Sequence, residues 1–178
     1  ITDRRAGRIS TEVGEKLCDL LLKNVKLPDF ELFLVPEKEY RFVFVLRGKS
    51  LKADICDTDP QATGKPAIIA QAESLDSVEA AVAIRSFVSQ ANEILRDQSP
   101  ANSLVLRGFS QFPDWPRFND VFGLNSNAIA MYPMYRGVAK LVGMHVMPPA
   151  NSMEEEMDML EATWKDYDFF FVHIKKTD

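Results

Sequence analysis

Histidine and cysteine are nearly absent from this chain of 178 residues: His145 and His173, Cys18 and Cys56 are all there is of either. So few cannot assemble a self-contained His-rich metal site or a Ser/His/Asp triad, so any metal centre must draw most of its ligands from elsewhere. The cysteines lack metal-type spacing, and Cys18 falls within a helical pattern, which fits a reducing cytoplasm better than a disulfide framework. An excess of positive charge is missing too. Lys and Arg number 21 against 26 Asp and Glu, for a net charge of −5 and a pI near 5.1. That argues against nucleic-acid and anionic-membrane partners, which require a basic field over a whole face. No stretch approaches the ~20 apolar residues of a membrane span, and no repeat or low-complexity tract is visible. With 46% hydrophobic and 26% charged residues, the composition is that of a soluble chain able to bury one good core or two small ones.

What is present is arginine, gathered at the amino end. Asp3, Arg4, Arg5 and Arg8 crowd around Ala6 and Gly7. Guanidinium groups are always charged and match carboxylate or phosphate bidentately, and a glycine among them lets backbone approach a bound group. The pattern reads as a cradle for a small anion, with a solvated basic turn offset by Asp3 and Glu12 as the alternative. Arg41 is expected to open a strand, while Arg47, Arg107 and Arg136 each precede a glycine at an element end. Asp57 and Asp59 flank Thr58, a pairing that suits a metal or general base and equally suits Asx turn bonding.

Periodicity predicts a helix from Ser10 or Thr11 through Val13, Leu17, Leu20 and Leu21, ended by Pro28. Residues 30–35 and 40–46 read as an antiparallel hairpin, and residues 54–66 as a loop. The longest helix has Asp76 and Glu79 as a capping box and an apolar face including Val78, Ala81, Ile84, Phe87 and Leu95. Strand-helix alternation then follows: strand 103–106, helix 118–122, strand 128–131, helix 135–141, strand 145–147, helix 153–165 and strand 169–174. This predicts an α/β fold, a mixed sheet with an antiparallel hairpin in the first half and parallel crossover units in the second, helices packed on the sheet. Glu154, Glu155 and Glu156 read as complements to a helix macrodipole, and Met144, Met147, Met153, Met157 and Met159 as packing residues. The chain begins without an initiator Met, and its last apolar strand halts at residues 175–178, so we expect an internal segment of a longer protein.

Several stretches taken in order resemble a known family: Asp3-Arg4-Arg5-Ala6-Gly7-Arg8-Ile9, Tyr40-Arg41 with the strand to Gly48, Asp57-Thr58-Asp59-Pro60, residues 102–108, residues 132–144 with Arg136, Gly137 and Gly143, and residues 168–178. The chain is similar to the archaeal-type, cofactor-independent phosphoglycerate mutases of the alkaline phosphatase-like metalloenzyme superfamily. Two positions depart from the pattern: Tyr40 stands where many relatives carry His, and residues 148–152 lack a Gly-rich turn. The resemblance implies a cytoplasmic enzyme of glycolysis and gluconeogenesis that interconverts 2-phosphoglycerate and 3-phosphoglycerate through a phosphoserine. Divalent metals, manganese or zinc, would serve the full-length enzyme and none this piece. It implies an inserted substrate-handling region over residues 1–108 and a return to the phosphatase-like core over residues 109–178. Arg4, Arg5, Arg8 and Arg41 become the expected substrate contacts and Asp178 the expected metal ligand, with no catalytic group in this segment and no activity from it in isolation. Another phosphotransfer or hydrolytic enzyme of the superfamily and a non-catalytic anion-binding domain stand as alternatives.

Overall fold

The computed structural model describes residues 1–175 and divides the chain into two compact units, Ile1–Gln111 and Phe112–Asp178. Each unit builds its own sheet: one is antiparallel and two-stranded, the other parallel and three-stranded. The chain is therefore α/β with both expected kinds of strand pairing, in two separate sheets and not in one mixed sheet.

In the first unit, α1 (Thr11–Asn24) and α2 (Val78–Leu95) pack with the hairpin of β1 (Glu31–Pro36) and β2 (Phe42–Arg47). Alternation decides which hairpin face is buried. Leu34 pairs with Phe44 on the inward face, where the Phe44 ring meets Phe87 of α2 at 4.8 Å between centroids. Phe87, Ala91 and Ile84 line the buried side of α2 at the helical spacing that the sequence displays. On the other hairpin face, Arg47 pairs with Glu31 at 3.5 Å and lies over the Phe33 ring.

Three local expectations are corrected here. Residues 103–106 form no strand: Leu106 gives its N–H to the Thr58 hydroxyl at 2.6 Å and its carbonyl accepts the Thr58 N–H at 2.8 Å, so a side chain replaces a strand partner. The capping box at Asp76 and Glu79 does not form, because the chain enters α2 through a 3-10 turn, Leu75–Ser77. Ser77 instead accepts the Asp54 N–H at 3.2 Å and meets the Ser74 hydroxyl, which donates to the Asp54 carboxylate. Arg41 lies in the hairpin turn, ahead of β2, with its N–H on the Lys38 carbonyl.

The second unit carries α3 (Phe118–Phe122), β3 (Ser126–Ala130), α4 (Pro133–Leu141), β4 (His145–Val146), α5 (Met153–Thr163) and β5 (Phe169–His173). β3 is central and parallel to both β4 and β5. Its small residues, all buried, allow close cover on both faces. Tyr135 of α4 meets Phe171 and His173 on one face, while Thr163 of α5 bonds Asn127 and Trp164 stacks on Phe170 on the other. Opposite sides for the two crossovers follow from right-handed connections running in opposite directions along the sheet, β3 to β4 and then β4 back across to β5. At the acidic start of α5 the expected helix chemistry is seen at Glu155, whose N–H is accepted by Ser152 and whose carboxylate accepts the Asn151 N–H at 2.8 Å, whereas Glu156 is turned into the interior and fully buried. No helix of the described residues is long and apolar enough to cross a membrane.

Candidate functional site

The arginines of the amino end lie in the first unit, where three other segments meet them. The first is the turn 37–41. The second is the loop around Thr58, itself only 2% exposed and tied to Leu106 and, through its carbonyl, to the Ile68 N–H. The third is the segment through Arg107 and Gly108.

Residues 3–8 fold tightly on themselves. Ala6, Gly7 and Arg8 take φ values of 48°, 62° and 54°, a left-handed run in which glycine alone is at ease. The Asp3 carboxylate holds it by accepting the N–H of Arg5 at 2.8 Å and of Gly7 at 2.6 Å. These backbone donors, followed by the nearby charges of Arg5 and Arg8, keep the Asp3 carboxyl below its ordinary range. The backbone cradle thus already contains an anion, the chain's own. Gly7 serves packing: a Cβ there would sit 3.3 Å from Pro100 Cγ. Both findings correct the reading of Gly7 as an open approach for a ligand.

The four expected contacts separate. Arg4 grips Asp59 bidentately, Nε on Oδ1 at 2.9 Å and Nη2 on Oδ2. The side chain of Asp59 is almost wholly buried, and it also accepts the Gln61 N–H at 2.9 Å. That last bond is the Asx turn allowed by the sequence, and it supports Gln61 at a φ of 54°. The Arg4 hydrogen bond dominates in holding the Asp59 carboxyl below its ordinary range, with Arg107 contributing charge from nearby. Arg4 in turn is pushed up, foremost by Asp59 and to a lesser degree by the neighbouring Tyr40. Arg8 is exposed, its Nη1 3.5 Å from Glu39. Arg41 pairs with Glu37 at 2.9 Å beside the Tyr40 ring. Arg5 is exposed, and no carboxylate lies within ion-pair distance of it among the described residues. Exposed pairs of the Arg8 and Arg41 kind hold by ~0–1 kcal/mol and release readily to a better anion. The Arg4 pair is a built feature.

Arg107, one of the Arg-Gly pairs that suggest an anion site from the sequence, lies near the group, although the pattern alone does not single it out. Its Arg-Gly signature is shared by Arg47, which lies on the hairpin's outer face, and Arg136, which ties the Ala130 and Met147 carbonyls together. What sets Arg107 apart is the bond between Thr58 and Leu106, which brings it beside Asp59. Asp57 accepts the Gly108 N–H at 2.7 Å, so both aspartates of the pair are engaged by protein donors. Among the described residues no group of three or more His, Cys, Asp or Glu could hold a metal ion. Asp178, the expected ligand, lies outside the described residues.

The profile of the 2,3-bisphosphoglycerate-independent phosphoglycerate mutases matches residues 1–102. The chain belongs to that family. A probable 2,3-bisphosphoglycerate-independent phosphoglycerate mutase of Thermosipho africanus is 43% identical over the whole of this chain, and one of Aquifex aeolicus is 41% identical. The chain covers 44% and 45% of those proteins, so it spans under half the length of the curated relatives it matches. The solved cofactor-independent phosphoglycerate mutase of Thermoplasma acidophilum matches with a TM-score of 0.71 at 23% identity, over 98% of this chain and 51% of that one, which establishes a shared fold.

Proposed function

We propose that this segment handles substrate for a phosphoglycerate mutase, the whole enzyme interconverting 2-phosphoglycerate and 3-phosphoglycerate. The observation that carries the reading is that Arg4, Arg8 and Arg41 all lie at the turn through Glu39 and Tyr40, with Arg107 near Asp59, the partner of Arg4, although these segments are far apart in sequence. The substrate bears a phosphate and a carboxylate on three carbons, and a set of guanidiniums with different freedoms suits both. Arg4 is fixed and supplies a reference point, while Arg5, Arg8, Arg41 and Arg107 are exposed and able to close on a bound anion. Residues 1–108 would form the inserted substrate-handling region and residues 109–178 the return to a phosphatase-like core.

In this reading a serine outside the segment receives the phosphoryl group and returns it to the neighbouring oxygen of the same glycerate. The arginines keep the dephosphorylated acid from diffusing away between the two transfers and neutralise charge on the oxygens that they face. The divalent metals implied by the resemblance find no ligand set among the described residues, so no step here is assigned to them. Cytoplasmic location and a place in glycolysis follow from the proposed substrate.

The test uses the full-length enzyme. Arg8→Ala and Arg107→Ala are expected to lower kcat/KM for 3-phosphoglycerate by ~100-fold or more. Thermal unfolding should be unchanged, because both side chains are exposed. Wild-type turnover in both variants would remove these residues from the site. Release of free phosphate in place of 2-phosphoglycerate would replace the mutase reading by a hydrolase.

A further inference from the structure

Asp59 is the carboxylate of this region that an exposed ion pair does not explain. Its side chain is 4% exposed, its two oxygens are both taken by Arg4, and one of them also receives the Gln61 N–H. Thr58, the residue before it, is pinned on both backbone atoms and through its hydroxyl to Leu106 and Ile68. The carboxylate therefore cannot follow a moving guanidinium; the guanidinium must come to it. Asp59 engages the Nε/Nη2 edge of Arg4, and a guanidinium fork offers more donors than one carboxylate accepts. The Nη1 amino group and the outer Nη2 hydrogen remain to face away from Asp59. The Arg4 side chain keeps 29% of its surface accessible, so a donor edge stays open to a ligand.

We infer that Asp59 is a positioning residue of the anion site: it touches no substrate and acts by holding Arg4 side-on, so that the remaining donors of that guanidinium are aimed before the ligand arrives. This rests on the substrate-handling role proposed above and adds to it a division of labour. Arg4 is pre-aimed by a buried carboxylate, whereas Arg5, Arg8 and Arg41 are aimed by the ligand itself. Removing the carboxylate leaves every other arginine in place, with Arg4 free to rotate away from its edge-on contact. Arg107, which also feels the Asp59 charge, stays anchored through Leu106 and Gly108, whose bonds to Thr58 and Asp57 the substitution does not touch.

The experiment compares Asp59→Asn, Arg4→Ala and the double variant in the full-length enzyme. Asp59→Asn is expected to raise KM for 3-phosphoglycerate ~10–100-fold with kcat falling less, since a misaimed binding group acts first on substrate capture. Added guanidinium ion should restore activity to Arg4→Ala, where Asp59 still defines its seat. It should fail to do so in the double variant, a difference that a merely structural aspartate would not produce. Unchanged KM in Asp59→Asn, or equal rescue of both Arg4→Ala backgrounds, would overturn the inference. A second readout needs no turnover: in 15N-labelled wild-type protein the Arg4 Nε–H should give a slowly exchanging NMR signal that Asp59→Asn abolishes. If the wild-type enzyme shows no mutase activity yet that signal behaves as expected, the substrate reading fails while the pairing stands. If activity is present and the signal is missing, the positioning role fails alone.

Discussion

Replacing Gly14 by alanine sets two physical effects of opposite sign against each other. Gly14 sits inside α1, where alanine is preferred over glycine by ~1 kcal/mol. Propensity alone thus makes Gly14→Ala a stabilising change. The tertiary structure reverses the sign. A Cβ at position 14 would fall inside 3.0 Å of the Glu39 carbonyl oxygen and 3.6 Å from its carbon, a collision with backbone that no side-chain rotation relieves. The turn must retreat, yet its Glu39 N–H is fastened to the Thr11 hydroxyl at 3.1 Å on the same helix. Overpacking of this kind costs ~1–3 kcal/mol, and loss of the Thr11 bond adds ~1 kcal/mol. Set against the helix preference, the net is a destabilisation of ~1–3 kcal/mol. At a urea dependence of ~1–3 kcal/mol per molar, the unfolding midpoint of the first unit drops by ~1 M.

Far-UV circular dichroism is the assay, because Trp115 and Trp164 both belong to the second unit and their fluorescence follows that unit separately. A midpoint equal to or above wild type would refute the reasoning, since it would mean that helix preference outweighs the close approach of α1 to the turn. The same retreat displaces Glu39 from Arg8 and shifts the turn that carries Arg41, so the variant also tests whether the proposed anion site depends on that approach.

Acid should weaken the first unit in a defined window. Asp59 is held below its ordinary 3.8 foremost by Arg4, and Asp3 below the same value by the Arg5 and Gly7 N–H groups. The unfolded chain therefore binds protons first as pH falls, so this stabilisation is complete well above 3.8 and disappears as pH drops through the lower folded values. Urea midpoints measured from about pH 7 downward should hold until about pH 5 and then fall, with a shallower fall in Asp59→Asn; parallel curves would deny the Arg4 pair its part. In the second unit, Glu156 is fully buried with neither carboxylate oxygen hydrogen-bonded among the described residues. Glu156→Met should leave the tryptophan-monitored unfolding free energy unchanged or raise it by ~1 kcal/mol or more, since a desolvated carboxylate gives way to an apolar group. A clear loss would show that the carboxylate has a partner.

Local order was legible in the residues because it has a period. Val13, Leu17 and Leu21 announce α1 at helical spacing, and the run from Phe169 announces β5, since side-chain burial repeats with the backbone geometry. The resemblance carried by Asp3 to Ile9 and the later stretches named the family, which the profile over residues 1–102 establishes. Where such signals failed, a distant partner had taken over a local group. Leu106 found the Thr58 hydroxyl in place of a strand, and Ser77 took up Asp54 in place of an N-cap.

The sequence by itself determined most of the elements, the family and the presence of an arginine-rich amino end, since each depends on residues close together or on a recognisable ordered string. Only the tertiary structure decided what those arginines face. Arg4 and Asp59 lie 55 positions apart, and Arg107 is brought near the same carboxylate by the bond between Thr58 and Leu106. A guanidinium meeting a carboxylate across folded loops has no periodicity to read. The partner is set by which segments the core brings together, and burial then makes one of several similar charges a fixed part of the site.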